Sequence, residues 1–288
     1  MSGHPDNTKN AEHPTWNNMN DAIESKIKEL ATMYNIPAMR TVVNHWFVWN
    51  GTNQHGVQDF TAQAQLEKMH GIEMDINYAH YDNNSTQKQF LGPMGTNQGN
   101  YTGSGLPMKF GDVNGRTIDI YQHFNNVYDQ QYMEHADSTG FFNNFKGLMD
   151  RSMHNEVYSY ISVKSHNDEY FFSKKPLAKM LDYADSHGIP VWTAAKLLDF
   201  LKARNEAKFE NIAWSDNSMS FNIHSDYEHT NMLSVILPYN YTGAKRVFSV
   251  TVDSATISFS VKTIKGNEYV MFSIKPGTTY HIVVNYKR

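Results

Sequence analysis

The sequence predicts an α/β fold: part of a (β/α) barrel, followed by a small all-β domain. Three observations predict it. Strand-like and helix-like stretches alternate through the first two thirds of the chain, the signature of βα units on a parallel sheet. After Asn205 the helical period disappears. Short runs rich in β-branched and aromatic residues then recur between turn residues, which suggests a β-sandwich. The change places a domain boundary near residue 207, giving domains 1–206 and 207–288.

Each element has its own reason. Ile23, Ile27, Leu30, Ala31 and Tyr34 share one face of a 3.6-residue period, so 17–34 reads as a helix stopped by Asn35-Ile36-Pro37. Residues 41–49, β-branched then aromatic, read as a buried strand. A short helix over 60–69 and a strand over 72–78 follow. The Gly/Asn/Gln-rich stretch 82–105 reads as a long loop of the kind that often carries function. Strands over 106–110 and 117–121 flank a turn at Asn114-Gly115. Then come a helix over 141–153, a strand over 158–163, and a helix over 177–187 closed by Gly188. A short strand over 189–192 precedes a helix N-capped by Thr193 and running to 203. Six strands follow, over 219–223, 233–238, 246–252, 256–263, 269–274 and 281–286.

Composition removes several functional classes. The chain of 288 residues has no cysteine, so thiolate catalysis, disulfides and Cys-ligated zinc are excluded. Its net charge of -4 offers no basic footprint for nucleic acid. No apolar run approaches the ~18 residues of a membrane span. The start, Met1 to Asp6, is polar and carries no signal peptide, and a missing N-terminus is the expectation.

Ligands of parallel α/β folds bind at the C-terminal ends of the strands. Polar residues there are the site candidates. Asn44 and His45 lie at one end, Asp75 through Tyr78, His80, Tyr81 and Asp82 at the next, and His166 at a third. Each has a plainer reading: His45 as a core histidine among Trp46, Phe47 and Trp49, Asp75 as a cap, His80 and Tyr81 as loop surface. Trp192 either lines a sugar subsite or closes the core. The many tyrosines nearby suit a wet, aromatic cleft for a carbohydrate. His4 and His13, with Asp6 between them, form a weak metal-ligand set.

The order of these residues resembles a known family. Arg40-x-x-x-Asn44-His45, Asp75-x-x-x-x-His80, Gly105-Leu106-Pro107-Met108-Lys109-Phe110, Ser162-x-x-x-His166 and Gly188-Ile189-Pro190-Val191-Trp192-Thr193 look like the later strands of the polysaccharide deacetylase (NodB-homology) barrel. The resemblance covers roughly residues 1–203, with the first strands upstream of Met1. It departs from the family in having no Asp-Asp pair and no two histidines four apart. It implies a secreted or periplasmic protein that removes acyl groups from a polysaccharide with a divalent metal, zinc. His166 would act as the acid for the leaving amine, with Asp75 orienting it. His45, Tyr78, His80, Tyr81 and Trp192 would contact sugar, and His4 and His13 would ligate metal. A carbohydrate-binding protein without catalysis and a glycoside hydrolase are the alternatives.

Overall fold

The computed structural model describes residues 14–36, 39–44, 51–78, 106–133, 136–154, 160–168, 170–227, 232–242, 245–264 and 266–288. The fold is mixed α/β. The chain divides into two compact units, Met1–Trp192 and Thr193–Arg288.

The first unit opens with α1 (Trp16–Tyr34). The Thr15 hydroxyl caps it, accepting the Asn18 N–H at 3.2 Å. Asn35, left-handed at φ 50°, closes it, and the Ile36 N–H returns to the Leu30 carbonyl at 3.1 Å. Next come β1 (Thr41–Val42), β2 (Gly51–Thr52), β3 (Gln58–Asp59), α2 (Ala62–Met69), β4 (Met74–Tyr78), β5 (Met108–Gly111) and β6 (Thr117–Phe124). β1, β4 and β6 run parallel, and β5 closes the order β1-β4-β6-β5 as an antiparallel edge. Met19 and Ile23 of α1 pack with Leu66 of α2 and with Val42 and Ile120 of the sheet. β2 and β3 form a small hairpin under α1. Gly51 is needed there, because a Cβ would lie 2.7 Å from the Pro14 carbonyl oxygen and from Met19 Cε. Gly115 takes φ 75° in the β5–β6 turn, where Asp112 Oδ1 accepts the N–H groups of Asn114 and Arg116.

The rest of the unit is β7 (Val127–Tyr128), α3 (Gln130–Met133), α4 (Ser138–His154), β8 (Val163–Lys164) and α5 (Tyr170–Ser186). β7 and β8 pair in parallel, Val127 with Val163 and Tyr128 with Lys164. Phe141, Phe145, Leu148 and Met149 of α4 and Met180 of α5 form the core beneath them. The described strands do not close into a complete barrel; the parallel strands fall into two sheets. The strand expected over 189–192 is not formed. The Ile189 N–H is taken by the Ala184 carbonyl at 2.9 Å, so the residue that would start a ladder instead finishes the end of α5.

The second unit begins earlier than the sequence suggested, at residue 193 rather than 207. The reason is α6 (Ala194–Glu206), whose Phe200 and Ala203 pack into the core of the strands that follow. Those strands are β9 (Lys208–Ser215), β10 (Ser218–His224), β11 (Leu233–Pro238), β12 (Asn240–Tyr241), β13 (Lys245–Val252), β14 (Ala255–Ile257), β15 (Ser260–Ile264), β16 (Asn267–Ile274) and β17 (Thr279–Lys287). A six-stranded sheet has the order β12-β13-β17-β10-β9, with β14 on β13. A three-stranded sheet has the order β11-β16-β15. Alternate residues of both, such as Phe221, Val235, Phe272 and Ile282, supply one core.

Candidate active site

The parallel pairing of β7 with β8 sets the site. Beyond the last paired residues, the Asp129 N–H donates to the Lys164 carbonyl at 3.2 Å, extending the ladder by one step. That step brings the Asp129 carboxylate under the loop leaving β8. Asp129 Oδ2 accepts the His166 backbone N–H at 2.6 Å and the Ser173 hydroxyl at 3.0 Å. Asp129 Oδ1 lies 2.7 Å from His166 Nδ1. Asp129 is fully buried, while the His166 side chain keeps 20% of its exposure. Three donors on one carboxylate offset its loss of water. A carboxylate against Nδ1 places the imidazole hydrogen there and leaves Nε2 as the ring nitrogen that Asp129 does not engage.

Tyr128 and Lys164 flank this pair. The Tyr128 ring lies 5.6 Å from the imidazole, and Lys164 Nζ is 5.4 Å from the Tyr128 centroid. Burial pulls the Lys164 ammonium down to about 8, against the opposing pull of the Asp129 charge. Asn126 joins the two strands below: its Oδ1 accepts the Ser162 N–H at 2.9 Å, and its own N–H donates to Ser162 Oγ at 3.1 Å. His123, at the end of β6, is buried edge-on to Tyr160 at 6.5 Å, and burial holds it down to about 4. It is therefore neutral at ordinary pH. Tyr160 in turn packs on the half-buried Trp192 at 5.5 Å.

A second polar cluster lies between α2 and the parallel sheet. Glu67 Oε1 accepts Asn44 Nδ2 at 2.9 Å and Gln63 Nε2 at 2.7 Å, and Asn77 Oδ1 accepts the Asn44 N–H at 2.6 Å. Asp75 faces Glu67, and both are fully buried. Burial pushes Glu67 up to about 6; burial and the neighbouring Glu67 charge push Asp75 well above the usual carboxylate range.

Of the residues expected from sequence, His166 stands at a strand end beside a buried acid. Its ring partner is Asp129, so the orienting role assigned to Asp75 is geometrically filled by another residue. Asp75 is engaged with Glu67 and Asn77 inside the sheet–helix layer. Trp192 lines the same unit against Tyr160. Tyr78 ends β4. His4, His13, His45, His80 and Tyr81 lie outside the described residues. Asp129, Ser173 and Lys164 were not anticipated. Asp129 follows a strand of only two residues, too short for periodicity to reveal. The available signal was Val127-Tyr128-Asp129, an apolar pair ending in an acid, the same strand-end pattern that marks His166.

Among the described residues, no group of three or more His, Asp and Glu side chains is placed to hold a metal ion. No described helix is long and apolar enough to cross a membrane. The fold and site define an α/β protein with an acid–histidine pair at adjacent parallel strand ends. No family model matches the chain, and no curated protein matches it.

Proposed function

We propose that this protein is a carbohydrate-active hydrolase that removes acyl groups from a polysaccharide. Its first unit is read as the later part of a deacetylase-type (β/α) barrel, and its second as a β-sandwich. The observation that carries the proposal is the Asp129–His166 pair: a buried carboxylate with three donors, holding by Nδ1 an imidazole that is still partly exposed. Protonated, such an imidazole delivers its Nε2 proton to the leaving nitrogen or oxygen as the acyl bond breaks. The Asp129 carboxylate stabilises the imidazolium, while Ser173 and the His166 backbone fix its orientation. The Tyr160–Trp192 aromatic pair in the same unit suits a sugar ligand.

A divalent ion, zinc on this reading, would polarise the carbonyl and activate water. The described residues do not offer a group for it. His4 and His13, the candidate ligands read from the sequence, lie outside the described residues. What the described residues supply is proton delivery and its positioning. On this reading the protein works outside the cytoplasm, where such polymers lie.

The test is acetate release from N-acetylated and O-acetylated oligosaccharides. His166→Ala should lower kcat by roughly 10²–10⁴-fold and change KM little. Turnover in His166→Ala equal to wild type would remove His166 from the chemistry. Absence of acyl release by wild type from any acylated glycan would overturn the function itself.

A further inference from the structure

We propose that β9 and the aromatic residues beside it form a second polysaccharide-binding surface, on the second unit. β9 is the outermost strand of the six-stranded sheet. Its residues Trp214 and Phe209 oppose Met219 and Ile223 of β10, so their side chains fall on the core-facing side of the sheet. Ile212 lies two residues from Trp214 on the same side. On that side the neighbouring residues Met219, Phe221 and Ile223 of β10 and Ile282 and Val284 of β17 are buried. Here Phe209, Ile212 and Trp214 remain 51%, 59% and 48% exposed. A contiguous strip of large apolar residues on an otherwise polar strand marks an interaction site.

The geometry selects the occupant. The indole of Trp214 stacks on Tyr241 at 4.6 Å and 16°, and also lies 5.6 Å from Tyr286, which is itself buried in the core. The ring plane is thus fixed in advance, and little side-chain freedom remains to be lost on binding. The rim is polar. Asp216 and Asn217 form the β9–β10 turn, and Lys245 Nζ donates to Asn217 Oδ1 at 2.5 Å. A flat aromatic face edged by amide, ammonium and carboxylate groups matches a pyranose ring, whose C–H face is apolar and whose hydroxyls point outward around it. From Phe209 to Trp214 the strand runs roughly 16 Å, long enough for several sugar rings of an extended chain.

The backbone argues against the main competitor. An edge strand invites another strand to pair with it. β9 carries a bulge where its register with β10 shifts between Ser220 and Asn222, and Asn211 there takes φ 54°. Such a bulge breaks the regular edge and leaves the side-chain face as the recognition surface. The choice of a glycan as occupant rests in part on the proposed action on polysaccharides. The residues of this surface belong to the second unit and include none of those around the Asp129–His166 pair.

The experiment is co-sedimentation of the full chain with insoluble chitin, cellulose and xylan. Wild type should sediment with at least one of them. Trp214→Ala and Ile212→Ser should each weaken that association by about tenfold or more, while Val113→Ser, an exposed position in the first unit, should sediment as wild type does. Near-UV circular dichroism confirms that each variant is folded; Ile212→Ser keeps the test valid should Trp214→Ala be perturbed. Sedimentation of both folded variants like wild type overturns the proposal. So does a wild type that binds none of the polymers, or a wild-type dimer that Trp214→Ala converts to monomer. Acyl release from short oligosaccharides is measured on the same wild-type preparation. Trp214-dependent sedimentation without acyl release would overturn the hydrolase reading and keep this one, and the reverse result would do the opposite.

Discussion

Replacing Glu67 with glutamine should stabilise the first unit at neutral pH and leave it nearly unchanged in mild acid. Burial sets the sign. Burial raises Glu67 from 4.5 to about 6 in the folded protein, so the folded state binds this proton more tightly than the unfolded chain. Stability from this group is therefore fully present below about pH 4.5 and is lost as pH rises through 6. The difference of about 1.5 units corresponds to about 2 kcal/mol. Asp75, also raised and facing Glu67, adds a loss of the same sign. A simple pH scan would not reveal this, because His123 acts in the opposite sense. Its folded value is lowered from 6.5 to about 4, so its contribution to stability grows as pH rises over that window. Comparing wild type with Glu67→Gln removes the His123 contribution, which is present in both, and reports the Glu67–Asp75 pair, because the substitution also takes away the charge that raises Asp75. The substituted amide keeps an oxygen for Asn44 and Gln63 but has no proton to lose. Urea melts followed by tryptophan fluorescence report mainly on this unit, which holds Trp16, Trp46, Trp49 and Trp192 of the five tryptophans. The variant should match wild type near pH 4.5 and exceed it by about 2 kcal/mol near pH 7. A difference that stays flat across this range, or that reverses sign, would refute the burial argument.

Further outcomes follow from single contacts. Gly51→Ala should destabilise the first unit by about 1–3 kcal/mol in the same melts, since the added Cβ meets the Pro14 carbonyl oxygen, which cannot swing away as a side chain would. Lys164 should be acylated with a pH midpoint near 8, read by peptide mass spectrometry, whereas exposed lysines titrate near 10.4. Asp129→Asn should move that midpoint lower, because it removes the negative charge that favours the ammonium. The same variant should lower kcat for acyl release while leaving His166 in the protein; full activity in Asp129→Asn would show that the carboxylate does not position the imidazole.

The legible parts of this fold are those whose burial is periodic. α1, α2, α4 and the alternating strands β10, β11 and β17 announce themselves by apolar spacing, and the β5–β6 hairpin by Asn114-Gly115. Other features had no local signature. α5 starts at Tyr170, ahead of Pro176, a residue that reads as a helix beginning rather than an interior position. The run 256–263, one strand by composition, divides at residues 258 and 259: β14 pairs with β13 in one sheet and β15 with β16 in the other. Gln63 and Glu67, four apart, look like the wet stripe of an amphipathic helix. They are buried because Asn44 and Asp75 across the layer supply polar partners, a fact written only in the tertiary structure.

The two buried acid clusters are chemically opposite, and that contrast directs the functional reading to one of them. Glu67 and Asp75 are both shut away from solvent, and the layer around them favours keeping protons on. They are suited to holding α2 on the sheet, not to exchanging protons with a ligand. Asp129 instead gathers a hydroxyl, a backbone N–H and an imidazole N–H, the donor set that compensates a buried carboxylate for lost water. Here only the acid is sealed, and the imidazole side chain beyond the strand end keeps 20% of its exposure. On the proposed reading, the buried anion fixes a partly exposed imidazole for moving a proton, at the strand ends where parallel α/β sheets place their chemistry.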